Sequence, residues 1–153
     1  MEDKKDGRYQ RLYQQLSGLM VKSRDLHARM ATLNALLYHK MDGFFWVGFY
    51  LLRDGHLVVG PYQGPLACLE LERDKGVCWA GINRNESIVV PGVHAFPGHI
   101  ACDSRSKSEI VIPLRDPEGR ILGVLDIDSD RPACFDETDA RRLEEMVRLL
   151  TQG

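Results

Sequence analysis

Phe44-Phe-Trp-Val-Gly-Phe-Tyr-Leu-Leu52, then Arg53-Asp-Gly-His56, then Leu57-Val-Val-Gly60, is the stretch on which the fold turns. An aromatic, β-branched run of this length reads as a strand, and Asp-Gly is a strong tight-turn signal, so the chain doubles back as an antiparallel hairpin. Upstream, Tyr9, Leu12, Tyr13, Leu16 and Leu19-Met20 recur at helical spacing and predict a helix over 8–21. Leu26, Met30, Leu33 and Leu37 predict a second over 25–39. Downstream, Gly60-Pro-Tyr-Gln-Gly-Pro65 breaks regular structure. A short strand over 66–71, a short helix over 76–83 and a strand over 87–90 follow. Residues 91–105 are predicted irregular. Strands over 109–114 and 120–127 flank a turn at 115–119, and Asp136-Glu-Thr-Asp139 caps a last amphipathic helix that runs through Leu150. This order predicts an α+β fold, an antiparallel β-sheet flanked by N-terminal and C-terminal helices.

The 153 residues suit one domain spanning 1–153, with no repeat, linker or low-complexity segment. A net charge of −2 supplies no basic field, so neither nucleic acid nor a membrane is expected as partner. The longest apolar run is interrupted at Gly43 and Gly48, and Met1-Glu-Asp-Lys-Lys-Asp-Gly-Arg8 has no secretory core. A reducing, cytoplasmic setting is expected.

Four cysteines in that setting need a reason. Cys68, Cys78, Cys102 and Cys134 form no C-x-x-C pair, which weakens thioredoxin-like and zinc-ribbon readings. A cysteine is ordinarily a small buried hydrophobe, and Cys134, between Pro132-Ala133 and Phe135, fits that role. Cys102 differs. It lies in His94-Ala-Phe-Pro-Gly-His-Ile-Ala-Cys-Asp-Ser104, a loop whose histidines and free N–H groups can lower a thiol pKa. Metal ligation by His94, His99 and Cys102 is conceivable, but the spacing is loose and no fourth ligand is near, so no metal is expected.

Two further places could carry chemistry. Alternation along the first strand puts Phe45, Val47, Phe49 and Leu51 on one face, which reads as core. Trp46, Gly48 and Tyr50 share the other, where the missing side chain leaves a hollow suited to a small, partly apolar ligand. Packing beneath a helix is the commoner role of such an aromatic stripe. In Gly123-Val-Leu-Asp-Ile-Asp-Ser129, Asp126 and Asp128 project from one face, with Glu109 on the neighbouring strand. Such a cluster is costly unless a cation offsets it: a metal, a basic side chain or a ligand ammonium. A solvated strand end explains the same residues without a ligand.

Together, Phe45-Trp-Val-Gly-Phe-Tyr-Leu51, Gly60-Pro-Tyr-Gln-Gly-Pro-Leu-Ala-Cys68, Gly76-Val-Cys78, Val93-His-Ala-Phe-Pro-Gly-His-Ile-Ala-Cys-Asp-Ser104, Ser108-Glu-Ile-Val111 and the Asp126–Asp128 strand resemble the free methionine-(R)-sulfoxide reductases, which are GAF-domain enzymes. The resemblance spans Tyr9 to the last helix. It implies Cys102 as nucleophile, Cys68 as resolving cysteine, and Cys78 as a third cysteine able to exchange with Cys102. It also implies Glu109, Asp126 and Asp128 as carboxylates for the substrate ammonium, with Trp46 and Tyr50 lining the pocket at the thioether end. A free amino acid brings the missing cation, whereas a peptide-bound methionine does not.

The implied reaction passes through a Cys102 sulfenic acid and a disulfide, with thioredoxin as reductant and no cofactor. A neutral carboxyl, Asp128 or Glu109, would supply a proton. A homodimer is also implied, with the apolar stripe of residues 9–20 as its expected surface. Trp79 and Gly92 depart from the family pattern. The rival classes are a stand-alone GAF sensor, which has no use for three loop cysteines, and a zinc hydrolase, which would require stoichiometric zinc.

Overall fold

The computed structural model describes residues 4–99 and 102–152. Its elements run α1 (Lys4–Met20), α2 (Leu26–Lys40), β1 (Trp46–Arg53), β2 (His56–Gln63), β3 (Glu70–Leu71), α3 (Gly76–Arg84), β4 (Ile88–Val90), β5 (Ser108–Arg115), β6 (Ile121–Ser129) and α4 (Glu137–Thr151). The strands form one antiparallel sheet in the order β3-β2-β1-β6-β5-β4. This is the expected α+β arrangement, an antiparallel sheet flanked by N-terminal and C-terminal helices.

Local chemistry fixes the helices. Asp25 caps α2 by accepting from the Ala28 N–H at 2.8 Å, and Asp136 with Asp139 forms a reciprocal capping box at α4. Asp139 is fully buried yet well partnered, accepting from the Tyr9 hydroxyl at 2.6 Å and Lys5 Nζ at 2.7 Å, so it ties α1 to α4. Arg29 is also buried. Its guanidinium donates to Ser23 O, Met20 O, Leu150 O and Gln152 O at 2.7–3.1 Å, satisfying carbonyls left over at the ends of two helices.

The sheet separates two apolar clusters. One face carries Val47, Phe49, Ile110, Ile112, Leu125 and Ile127 against α1, α2 and α4. Tyr9, Leu12, Leu16 and Met20 of α1 are buried in this core, so the stripe expected to form a dimer surface is consumed within the chain. The opposite face carries Trp46, Tyr50, Val111 and Val124 beneath α3. Gly81 permits that close approach, since a Cβ there would lie 2.6 Å from Val111 Cγ1.

Three local expectations change. The strand predicted over 66–71 contracts to Glu70–Leu71, leaving Leu66 and Leu69 exposed. β2 continues through Gly60-Pro61 because it bulges there: Gly48 pairs with Tyr62 but Tyr50 with Val59, so an extra residue absorbs the proline. Asn34 Nδ2 braces the bulge, donating to Pro61 O at 2.7 Å. Phe45, expected in the core, precedes β1 and packs with the α3-side cluster. The 91–105 segment is irregular as expected where described, apart from one 3-10 turn over Val93–Ala95.

Candidate active site

Strand register brings the three carboxylates together. Asp128 lies opposite Trp46 on one side and Glu109 on the other, and Asp126 lies between Gly48 and Val111. All project toward α3, whose first turn lowers Cys78 onto them. Donor atoms of Cys78, Glu109 and Asp126 fall within 4.8 Å of one another. Glu109 and Asp126 are buried and Asp128 half-buried, so the solvated-strand-end reading fails for the first two.

Burial, reinforced by the charges of Asp126 and Asp128, pushes the Glu109 carboxyl well above its usual range. Burial likewise raises Asp128 and Asp126, although hydrogen bonds from Glu109, Cys78 and Asp128 work in the other direction at Asp126. Asp126 is therefore the member most readily ionised, and Glu109 and Asp128 are the ones inclined to hold a proton. Burial and the same carboxylates push the Cys78 thiol well up.

A cleft opens above this floor, with about 640 Å³ of empty space when the open mouth is included. Trp46 forms part of its wall, stacked between Tyr62 (ring centroids 5.2 Å apart) and Tyr50 (5.9 Å). The hollow expected at Gly48 is filled, because the Trp46 ring and Tyr62 occupy the space a Cβ would take. The ligand space lies instead over the carboxylates. Cys102, exposed on the cleft lining, is joined to Cys68 as a disulfide, Cα atoms 5.6 Å apart, across 34 residues of sequence. Cys78 remains a free buried thiol, and Cys134 packs half-buried on the other side of the sheet, as its structural reading implied.

Sequence reasoning missed part of the lining. Ser106 is buried, and its hydroxyl, His99 Nε2 and Asp126 Oδ1 have no hydrogen-bond partner among the described residues, although all three side chains line the cleft. Nothing distinguishes Ser106 from its neighbours Ser104 and Ser108 in the sequence. Arg105 stacks over Phe45 at 4.8 Å and pairs with Asp103 at 2.7 Å, which lowers the Asp103 carboxyl to about 2. The loop trio of His94, His99 and Cys102 is not gathered as a metal-binding group. The cluster with suitable donors among the described residues is Cys78, Glu109 and Asp126. Trp79, the departure beside Cys78, is buried and donates from Nε1 to Leu71 O at 3.3 Å.

Residues 25–153 match the GAF domain family. Over 142 residues the chain is 42% identical to the free methionine-R-sulfoxide reductase of Escherichia coli, covering 93% of this chain and 86% of that protein. The crystal structure of free methionine-R-sulfoxide reductase from Neisseria meningitidis in complex with its substrate superposes with a TM-score of 0.92 at 41% identity, covering 99% and 90% of the two chains. The reduced form of fRMsr from Staphylococcus aureus gives a TM-score of 0.89 at 40% identity, covering 94% and 92%. On the strength of this likeness in sequence and fold over nearly its whole length, the chain belongs to the GAF-domain free methionine-(R)-sulfoxide reductases, a family of oxidoreductases.

Proposed function

We propose that this chain reduces free methionine (R)-sulfoxide to methionine, with Cys102 as nucleophile and Cys68 as the resolving thiol. The observation that carries this reading is a disulfide joining Cys68 to Cys102, where Cys102 lines a cleft that three carboxylates also line. The Cys102 thiolate attacks the sulfoxide sulfur while the oxygen accepts a proton. Oxygen passes to Cys102, methionine leaves, and the cysteine, oxidised by two electrons, becomes a sulfenic acid. The Cys68 thiol then attacks the sulfenic sulfur, forming the disulfide and releasing one water. An external dithiol, thioredoxin in this reading, reduces the bridge and is itself oxidised.

The floor supplies charge and a proton. Asp126, with half-buried Asp128 beside it, receives the substrate ammonium, and neutral Glu109 donates to the sulfoxide oxygen. Trp46 and Tyr50 present ring faces to the methylthio end.

A thioredoxin-coupled assay with free methionine (R)-sulfoxide, its (S) epimer and N-acetylmethionine (R)-sulfoxide tests this directly. Only the free (R) form should turn over well. The acetylated one should lose about 10³-fold in kcat/KM, because acetylation removes the cation the buried carboxylates are set to receive. Comparable turnover of free and acetylated substrates would overturn the charge argument.

A further inference from the structure

We propose that Tyr50 is a positioning residue for Cys68, its phenol holding the backbone of the resolving cysteine where the disulfide closes. This rests on the reading of Cys68 as the resolving thiol.

In the segment from Gly64 to Leu69, which joins β2 to β3, the large side chains of Leu66 and Leu69 are 86% and 77% exposed. The small Ala67 packs partly buried against the α3-side cluster. Hydrophobic burial of one alanine does not by itself decide where Cys68 sits. Hydrogen bonds do. Among the described residues the segment accepts from Trp46 Nε1 at Pro65 O (3.0 Å), from the Tyr50 hydroxyl at Cys68 O (2.9 Å), and from the Val59 N–H at Leu69 O (2.9 Å). Two of these three donors are the polar ends of the aromatic pair in the cleft wall, and one of the two reaches the cysteine's own carbonyl.

Tyr50 is suited to hold a fixed point. Its side chain is 3% exposed, it stands on a strand paired along both sides, and its ring stacks on Trp46, which stacks in turn on Tyr62. A phenol has one proton to donate. With that proton directed to Cys68 O, Tyr50 offers the cleft its ring face rather than its hydroxyl. Burial, with Asp126 nearby, keeps the phenol protonated across the working pH range.

Fixing the Cys68 backbone raises the effective concentration of its sulfur at Cys102, in the reaction with the sulfenic acid and in the dithiol–disulfide equilibrium. The equilibrium can be read without any sulfoxide, by equilibrating the protein with mixtures of reduced and oxidised dithiothreitol and alkylating free thiols for mass analysis. There the protein disulfide and two dithiothreitol thiols exchange for two protein thiols and oxidised dithiothreitol. Loss of one such hydrogen bond in Tyr50→Phe should shift this equilibrium toward the dithiol by about 5–10-fold. After oxidation by stoichiometric hydrogen peroxide, the trappable Cys102 sulfenic acid should persist longer by a similar factor.

A purely structural role predicts something else: a lower thermal midpoint for the reduced protein, with the equilibrium unmoved. An equilibrium constant and a closure rate within twofold of wild type would overturn the proposal. Should Tyr50→Phe fail to give a cooperative thermal transition, Trp46→Phe removes the companion donor and must shift the equilibrium the same way; an unmoved value overturns the proposal there too. Failure of wild-type protein to release methionine from the sulfoxide would count against the proposed function, a result distinct from either of these.

Discussion

Cys102→Ser should lower thioredoxin-coupled turnover of free methionine (R)-sulfoxide at least about 10³-fold, measured as reductant consumed per chain. A serine hydroxyl stays protonated and cannot accept the oxygen to give a species that a thiol can later reduce. No other cysteine is placed to take over. Cys78 is buried against Asp126 and Glu109, which raise its thiol pKa and keep the thiolate scarce. Cys134 packs on the other side of the sheet. Cys68 remains, but without Cys102 it has no partner with which to close the observed disulfide. Turnover in the variant within tenfold of wild type would remove Cys102 from its proposed role.

Glu109→Gln should have opposite effects on activity and stability. Glutamine keeps the shape but has no acidic proton, so kcat should fall by about 10²-fold. Stability should rise at alkaline pH. The folded-state pKa of Glu109 is raised, so its favourable contribution is complete below the ordinary glutamate value of 4.5 and is lost as pH rises through the folded pKa. Between the two values the wild type must take up a proton to fold, and above the folded pKa it must bury a further negative charge beside Asp126. The amide avoids both. Thermal melts of wild type and Glu109→Gln should therefore separate at pH 8, the variant melting higher, and converge near pH 4. A variant that melts lower at pH 8 would show that Glu109 is held ionised by a partner the floor lacks. Loss of activity with a gain in stability marks a group retained for chemistry.

Much of this was legible in the sequence because its signals are local. Asp54-Gly55 announces the β1–β2 hairpin, and Asp136 with Asp139 announces α4. Alternation also put Asp126 and Asp128 on one face correctly. What escaped depends on distant partners. Whether Gly48 opens a hollow is decided by Tyr62, which reaches Gly48 only because β2 bulges at Pro61. Ser106 and Phe45 become cleft residues through the path of two loops, which no periodicity encodes. The Cys68–Cys102 pairing rested on family resemblance alone, which also left Cys78 able to exchange with Cys102. The depth at which Glu109 and Asp126 lie, which sets their acidity, likewise requires α3 to be seated on the sheet.

The central claim is that Cys102 itself takes the oxygen from free methionine sulfoxide. Cys68→Ser protein, fully reduced and mixed with one equivalent of free methionine (R)-sulfoxide, isolates that step because disulfide closure with Cys68 is removed. The account predicts one methionine released per chain and one sulfenic acid, trapped with a dione reagent and located on Cys102 by peptide mass analysis. Methionine release with the trapped oxygen on Cys78 or Cys134, or no release at all, would contradict it.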